Sequence, residues 1–186
     1  VQLPASLNKI GAYLFYSSGI TDIKLTSSMN EIGKYAFSKC TSLNKDITIP
    51  TSITNIGTKA FAQSGITGII IPKNTNMGES SFDNCTNLHR VSVPVNSLNY
   101  SFRNCTALTS LELIGEDTEE QYLNAEFVGC TSLESATIPE GVVSISNTFS
   151  GCSALKELRL PSTLQEIGGF KGCTSLEHIS LPSNVT

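Results

Sequence analysis

Tryptophan is absent from this 186-residue chain, histidine occurs twice, and charged side chains make up only 15%, against roughly 25% in typical soluble domains. No stretch approaches ~18 uninterrupted apolar residues, which excludes a helical membrane span within the chain. No basic stretch leads into an apolar run at the start, so a signal-peptide pattern is not read there. The balance of 12 basic against 16 acidic residues argues against a nucleic-acid groove, which needs a basic face. No GxxxxGK[ST], GxSxG or HExxH pattern occurs, which removes the phosphate, nucleophile and zinc signatures those spacings carry. Hydroxyls take the place of the missing charge: 25 Ser and 19 Thr suit an extended surface wetted by small polar groups.

The six cysteines show what is there instead. They stand at 40, 85, 105, 130, 152 and 173, each three residues after a phenylalanine: Phe37, Phe82, Phe102, Phe127, Phe149 and Phe170. The remaining two, Phe15 and Phe61, carry Ser18 and Ser64 in that slot. Six prolines, Pro50, Pro72, Pro94, Pro139, Pro161 and Pro182, each close a unit, and Pro4 closes one at the start. Thr26 and Ile114 replace proline in the other two units. Successive phenylalanines are 20 to 25 residues apart, a period that marks a stacked internal repeat.

Within the unit, the half from Phe to Pro is nearly constant in length and ends in apolar pairs two apart. These are Ile23 and Leu25, Ile47 and Ile49, Ile69 and Ile71, Val91 and Val93, Leu111 and Leu113, Ala136 and Ile138, Leu158 and Leu160, and Ile179 and Leu181. Period two predicts a strand with one buried face, stopped by a proline that has no N–H for the ladder. In the other half, Leu7 and Ile10, Met29 and Ile32, Ile53 and Ile56, Val142 and Ile145, and Leu164 and Ile167 are three apart, which predicts short helical or 3₁₀ turns on the back. Gly11, Gly33, Gly57 and Gly168 follow them, where a positive φ or a close approach of the next coil is expected.

Outward strand positions form two columns. One includes Lys24, Thr48, Ile70, Ser92, Glu112, Thr137, Arg159 and Ser180; the other includes Asp22, Asp46, Gly68, Arg90, Ser110, Ser135, Glu157 and His178. Solenoids commonly bind through such a face, so Asp22, Lys24, Asp46, Thr48, Arg90, Ser92, Glu112, Glu157, Arg159, His178 and Ser180 are the candidate partner-binding residues. Arg90 and Arg159 are its only anchors of hot-spot type. The cysteines, one per coil, lack the closely spaced pairs of a metal site and are expected to be free, buried thiols. His89 and His178 lie roughly 20 Å apart at ladder spacing and share no relay. The acidic run Glu116, Asp117, Glu119 and Glu120 has no calcium-loop spacing and reads as a solvated insertion. Tyr13, Tyr35 and Tyr100 share the slot two before Phe; half-buried packing is expected of the adjacent Tyr13 and Tyr35, with an aromatic patch on the convex side or flank as the alternative.

The motif IGxxAFxxCxSLxxIxLP, seen from Ile32 to Leu43 and across Phe170–Pro182, resembles BspA-type leucine-rich repeats, found in surface and secreted proteins of anaerobic bacteria and some mucosal protists. The pattern departs from the family's at Asn96 to Ser101, at Glu126 in the slot held by Ala36, and in the acidic insertion. The resemblance implies an α/β-type repeat solenoid: a right-handed coil of about eight repeats, with one parallel β-sheet and short 3₁₀ or turn segments behind. It implies adhesion to an extracellular protein or glycan, host or matrix, with no shared catalytic residues. The whole of 1–186 is read as a single repeat domain, expected to be a slice of a longer surface or secreted protein, because neither end shows a polar capping unit. No enzyme, metal or cofactor is expected, and end coils are expected to pair edge to edge in a homodimer. A rigid spacer with no ligand of its own is the alternative.

Overall fold

A strand of three residues cannot satisfy its own backbone, and a repeat with one apolar side cannot bury it alone, so each copy needs the next. The computed structural model, which describes residues 2–115 and 120–186, is a β-solenoid of about seven turns with essentially no helix. Among the described residues the strands are β1 (Lys9–Ile10), β2 (Glu31–Ile32), β3 (Asp46–Thr48), β4 (Asn55–Ile56), β5 (Gly68–Ile70), β6 (Asn76–Met77), β7 (Arg90–Pro94), β8 (Ser110–Ile114), β9 (Gln121–Asn124), β10 (Ser135–Thr137), β11 (Val142–Ser146), β12 (Glu157–Arg159) and β13 (Glu166–Gly168). All their pairings are parallel.

The expected sheet runs β3-β5-β7-β8 and resumes as β10-β12. Its register aligns Asp46, Gly68, Arg90 and Ser110 in one row, and Thr48, Ile70, Ser92 and Glu112 in the next. Around Ile23 and Ile179, where the first and last strands are expected, the chain is not in strand conformation. An end coil has a neighbour on one side only and so gains half the ladder bonds.

The back of the coil differs from its expectation more. Where residues three apart predict helical turns, short strands form a second ladder, β1-β2-β4-β6 and then β9-β11-β13. A 3₁₀ turn appears at Val95–Ser97, in the coil that lacks the Ile-Gly pair. An isolated helical turn leaves most of its N–H groups unpaired. Extended backbone instead lets each coil bond to its neighbour, as Gly33 N–H does to the Ile10 carbonyl and Gly57 N–H to that of Ile32 (both 2.8 Å). At Gly33 and Gly57 glycine is required by close approach rather than by φ: a Cβ on Gly33 would lie 2.6 Å from the Ala12 nitrogen, and one on Gly57 2.4 Å from that of Lys34. Gly11 and Gly168, by contrast, have neither a positive φ nor a neighbour within 4 Å of such a Cβ.

A third set of bonds wraps the Phe arc. Phe15, Phe37, Phe61 and Phe82, with the residues two before and two after each, send their N–H groups to carbonyls of the following coil. The residues between them close turns within their own coil, as Ala36 N–H to the Gly33 carbonyl and Ser38 N–H to that of Tyr35. Alternate backbone donors of this arc thus bond between coils and within one. The alternation needs left-handed backbone on both flanks: φ is positive at Tyr13, Tyr35, Lys59, Ser80, Tyr100, Ala125 and Asn147 before Phe, and at Ser17, Lys39, Gln63, Asn84, Asn104, Gly129, Gly151 and Gly172 after it.

Inside the arc, the rings from Phe15 to Phe149 stack in a continuous column, with centroids 4.9 to 5.9 Å apart. The cysteines line it. Each thiol donates to the carbonyl of the phenylalanine one coil back: Cys40 to Phe15 (2.9 Å), Cys85 to Phe61 (3.1 Å), Cys105 to Phe82 (3.4 Å), Cys130 to Phe102 (3.3 Å), Cys152 to Phe127 (3.2 Å) and Cys173 to Phe149 (3.0 Å). Where serine replaces cysteine, its hydroxyl meets the next thiol: Ser18 with Cys40 (3.6 Å) and Ser64 with Cys85 (3.5 Å). The six are free and buried.

Candidate functional site

Period two puts Asp46, Gly68 and Arg90 side by side on the outer face of three neighbouring strands. Arg90 reaches across the middle strand, and its guanidinium pairs with the Asp46 carboxylate. The path is open because position 68 has no side chain: a Cβ there would lie 2.7 Å from Asp46 Oδ1. The Thr67 hydroxyl donates to that oxygen at 2.6 Å. Thr67, with Arg90 assisting, holds the Asp46 carboxyl below the usual carboxylate range.

The second row carries an aliphatic side chain where its neighbours are polar. Ile70 stands between Thr48 and Ser92, and is 53% exposed. Beyond Ser92, Glu112 accepts the Ser92 hydroxyl at 2.6 Å. These rows enclose an open hollow of about 250 Å³, lined by Asp46, Thr48, Gly68, Ile70, Arg90 and Glu112 among others.

Of the candidate residues, Asp46, Thr48, Arg90, Ser92 and Glu112 therefore come together around one hollow. Glu157 and Arg159 form a separate exposed pair further along the face, joined at 2.8 Å. His178 lines a different hollow with Lys156 and Glu177. Asp22, Lys24 and Ser180 lie in the end coils, outside the ladder. Gly68 and Ile70 are not among the candidate residues, though the sequence marks both as the two outward positions without a polar group.

Elsewhere, Tyr13 is exposed rather than half-buried, whereas Tyr35 is half-buried. Their rings stack at 4.9 Å, and Tyr16 meets both edge-on. Lys34 and Lys39 lie 6.0 and 5.5 Å from the Tyr13 and Tyr16 ring centres. Glu116, Asp117 and Glu119 lie outside the described residues; Glu120 is exposed and accepts the Tyr122 hydroxyl at 2.9 Å.

The thiols offer little chemistry. Burial pushes Cys85 up to about 11 and Cys152 up to about 12, and raises Cys105, Cys130 and Cys173 as well, so the reactive thiolate is scarce at neutral pH. Among the described residues, no three His, Cys, Asp or Glu side chains gather as metal ligands would, and no helix is long and apolar enough to cross a membrane.

The family model described as BspA type leucine rich repeat region matches the chain in six copies, over residues 1–89 and 75–186. Among solved structures, a leucine-rich repeat protein from Bacteroides ovatus is similar at 25% identity and a TM-score of 0.51, over 98% of this chain and 66% of that one. The T. pallidum leucine rich repeat protein is similar at 28% identity and a TM-score of 0.57, over 91% of this chain and 72% of that one. This chain thus spans about two thirds of the length of those relatives. No curated protein matches it.

Proposed function

The chain belongs to the BspA-type leucine-rich-repeat family, and from that premise we propose that it is a non-enzymatic, surface-displayed or secreted module that binds an extracellular protein or glycan through the outer face of its front sheet. The observation that carries this reading is the hollow between Asp46 and Glu112, where an exposed aliphatic floor lies inside a ring of placed polar groups. A single exposed isoleucine is ordinary on a protein surface; its place on the floor of a hollow ringed by polar groups is what favours a contact site. The array is read as part of a longer protein, in keeping with the greater length of its relatives.

The continuous Phe column and the inter-coil bonds behind it favour one other reading, a stiff spacer that presents other domains. Charge reversal separates the two. Binding to immobilised extracellular-matrix proteins is measured for the parent and for Arg90→Glu combined with Arg159→Glu. The binding reading expects a loss of about tenfold or more, the effect of removing anchors of hot-spot type. Unchanged binding shows the sheet-face site to be wrong and favours the spacer.

A further inference from the structure

The hollow on the front sheet has a definite chemistry. Its volume of about 250 Å³ falls below the ~300–1,000 Å³ of sites that enclose a whole small ligand, and suits one side chain of a larger partner. Among the described residues no aromatic ring lines it, and these offer no flat face on which a sugar ring stacks. Its floor is Ile70, aliphatic and open to solvent.

The charges in the hollow are unequal. Among the described residues that line it, Asp46 and Glu112 supply two carboxylates and Arg90 one cation. Arg90 is committed to Asp46, which Thr67 also fixes. Glu112 accepts a hydrogen bond from the neutral Ser92 hydroxyl. That bond draws the carboxylate inward to stand over Ser92, one strand spacing (about 4.8 Å) from the Ile70 position. A side chain with an apolar stem and a cationic tip spans this step, its methylenes on isoleucine and its charge at the carboxylate.

Resting on the binding reading above, we propose that the hollow over Gly68 and Ile70 is a socket for one lysine or arginine side chain, displayed by an extended segment of a protein partner. The stem lies on Ile70 and the cation meets Glu112. The Asp46–Arg90 bridge forms the opposite wall and, being internally neutralised, leaves Glu112 to select the charge.

The test is a ¹⁵N NMR titration of the intact chain with three end-blocked tripeptides, Gly-Lys-Gly and its norleucine and glutamate counterparts. Gly-Lys-Gly is expected to bind in the millimolar range and to shift the amides around Ile70, Ser92 and Glu112. The glutamate peptide is expected to leave them unmoved. The Glu112→Gln variant, with its spectrum otherwise preserved, should bind Gly-Lys-Gly about three- to fivefold more weakly, the upper end for one exposed charge pair. Equal binding of the lysine and norleucine peptides, shifts centred elsewhere, no shift at all, or an unaltered affinity in Glu112→Gln each overturns the proposal. So does a uronic-acid oligosaccharide that shifts the same amides. Matrix binding by Ile70→Asp separates the two levels. If it falls while the lysine peptide fails to bind, the socket is wrong and the binding module stands; if it is unchanged too, the face itself is not the site.

Discussion

The coils before residue 116 and those after it share one backbone plan and differ in nearly everything outside it. Residues 1–115 carry nine Lys or Arg and six Asp or Glu; residues 116–186 carry three and ten. The solenoid is therefore basic in its first section and strongly acidic in its second. Both ladders are interrupted at this boundary, the back one between β6 and β9 and the front one between β8 and β10. The Phe column is not: Phe102 and Phe127 still stack at 5.7 Å and 10°, and Cys130 still donates to the Phe102 carbonyl. The core repeats across the seam, and the Phe arc bonds there too, Phe102 N–H to the Glu126 carbonyl and Asn104 N–H to that of Val128.

The left-handed position after Phe shows the same contrast in one column. The first section fills it with Ser17, Lys39, Gln63, Asn84 and Asn104, the second with Gly129, Gly151 and Gly172. An L residue there costs ~1–2 kcal/mol, and glycine does not pay this steric penalty. The first section tolerates the cost because each of Ser17, Lys39, Gln63, Asn84 and Asn104 sends its N–H to the next coil, so the conformation is fixed from outside.

Cutting the column at the seam is expected to break the comparison most severely. Phe127→Ala should cost about 3–5 kcal/mol and split urea unfolding into two transitions, because coupling in a stacked array passes only between neighbours. Phe61→Ala, of similar cost, should shift one transition without splitting it. Circular dichroism over a urea series checks both.

Next in size is Glu126, which occupies the buried slot held by Ala36 and Ala60 in the first section. Desolvation pushes its carboxyl up to about 7 from 4.5, against a long contact from the Thr148 hydroxyl (3.5 Å). A raised folded-state value means that the folded chain holds the proton more tightly than the unfolded one. Its contribution is complete below pH 4.5 and lost as pH rises through about 7, roughly 3 kcal/mol in all. Glu126→Ala should abolish that slope and raise the denaturant midpoint at pH 8. A variant that keeps the parent's pH dependence contradicts the assignment.

The glycine contrast predicts smaller changes of opposite sign. Gly151→Ala should destabilise by about 1 kcal/mol, since φ there is +77° and the added Cβ meets only Gly129 at 3.5 Å. Lys39→Gly should stabilise by up to about 1 kcal/mol, as relief of left-handed strain exceeds the added freedom of the unfolded chain. Thermal midpoints of the two variants check the signs.

The architecture was legible because Phe, Cys and Pro recur in one frame and because period two marks a half-buried strand. The back ladder was not, since a strand with one buried residue, such as Lys9–Ile10, has no alternation to read. The left-handed columns were hidden by their chemistry: Tyr, Lys, Ser, Gln and Asn share no sequence signal, and only Gly129, Gly151 and Gly172 hint at them. At the site, the rows could be written from the repeat, but not the link between Asp46 and Arg90, 44 residues apart and joined over Gly68 on the strand between them. Nor does any spacing foretell that Asp22 and His178 fall in coils outside the ladder.

Two exposed apolar places compete for the role of binding site: Ile70 in the front hollow and the Tyr13–Tyr16 pair on the Phe arc. The decisive measurement compares Ile70→Asp with Tyr13→Ser combined with Tyr16→Ser for binding to the same immobilised extracellular-matrix protein. A front-sheet site predicts a loss of about tenfold or more for Ile70→Asp, the size of a hot-spot truncation, with the tyrosine variant close to the parent. Binding that survives Ile70→Asp and is lost with the tyrosines would contradict it.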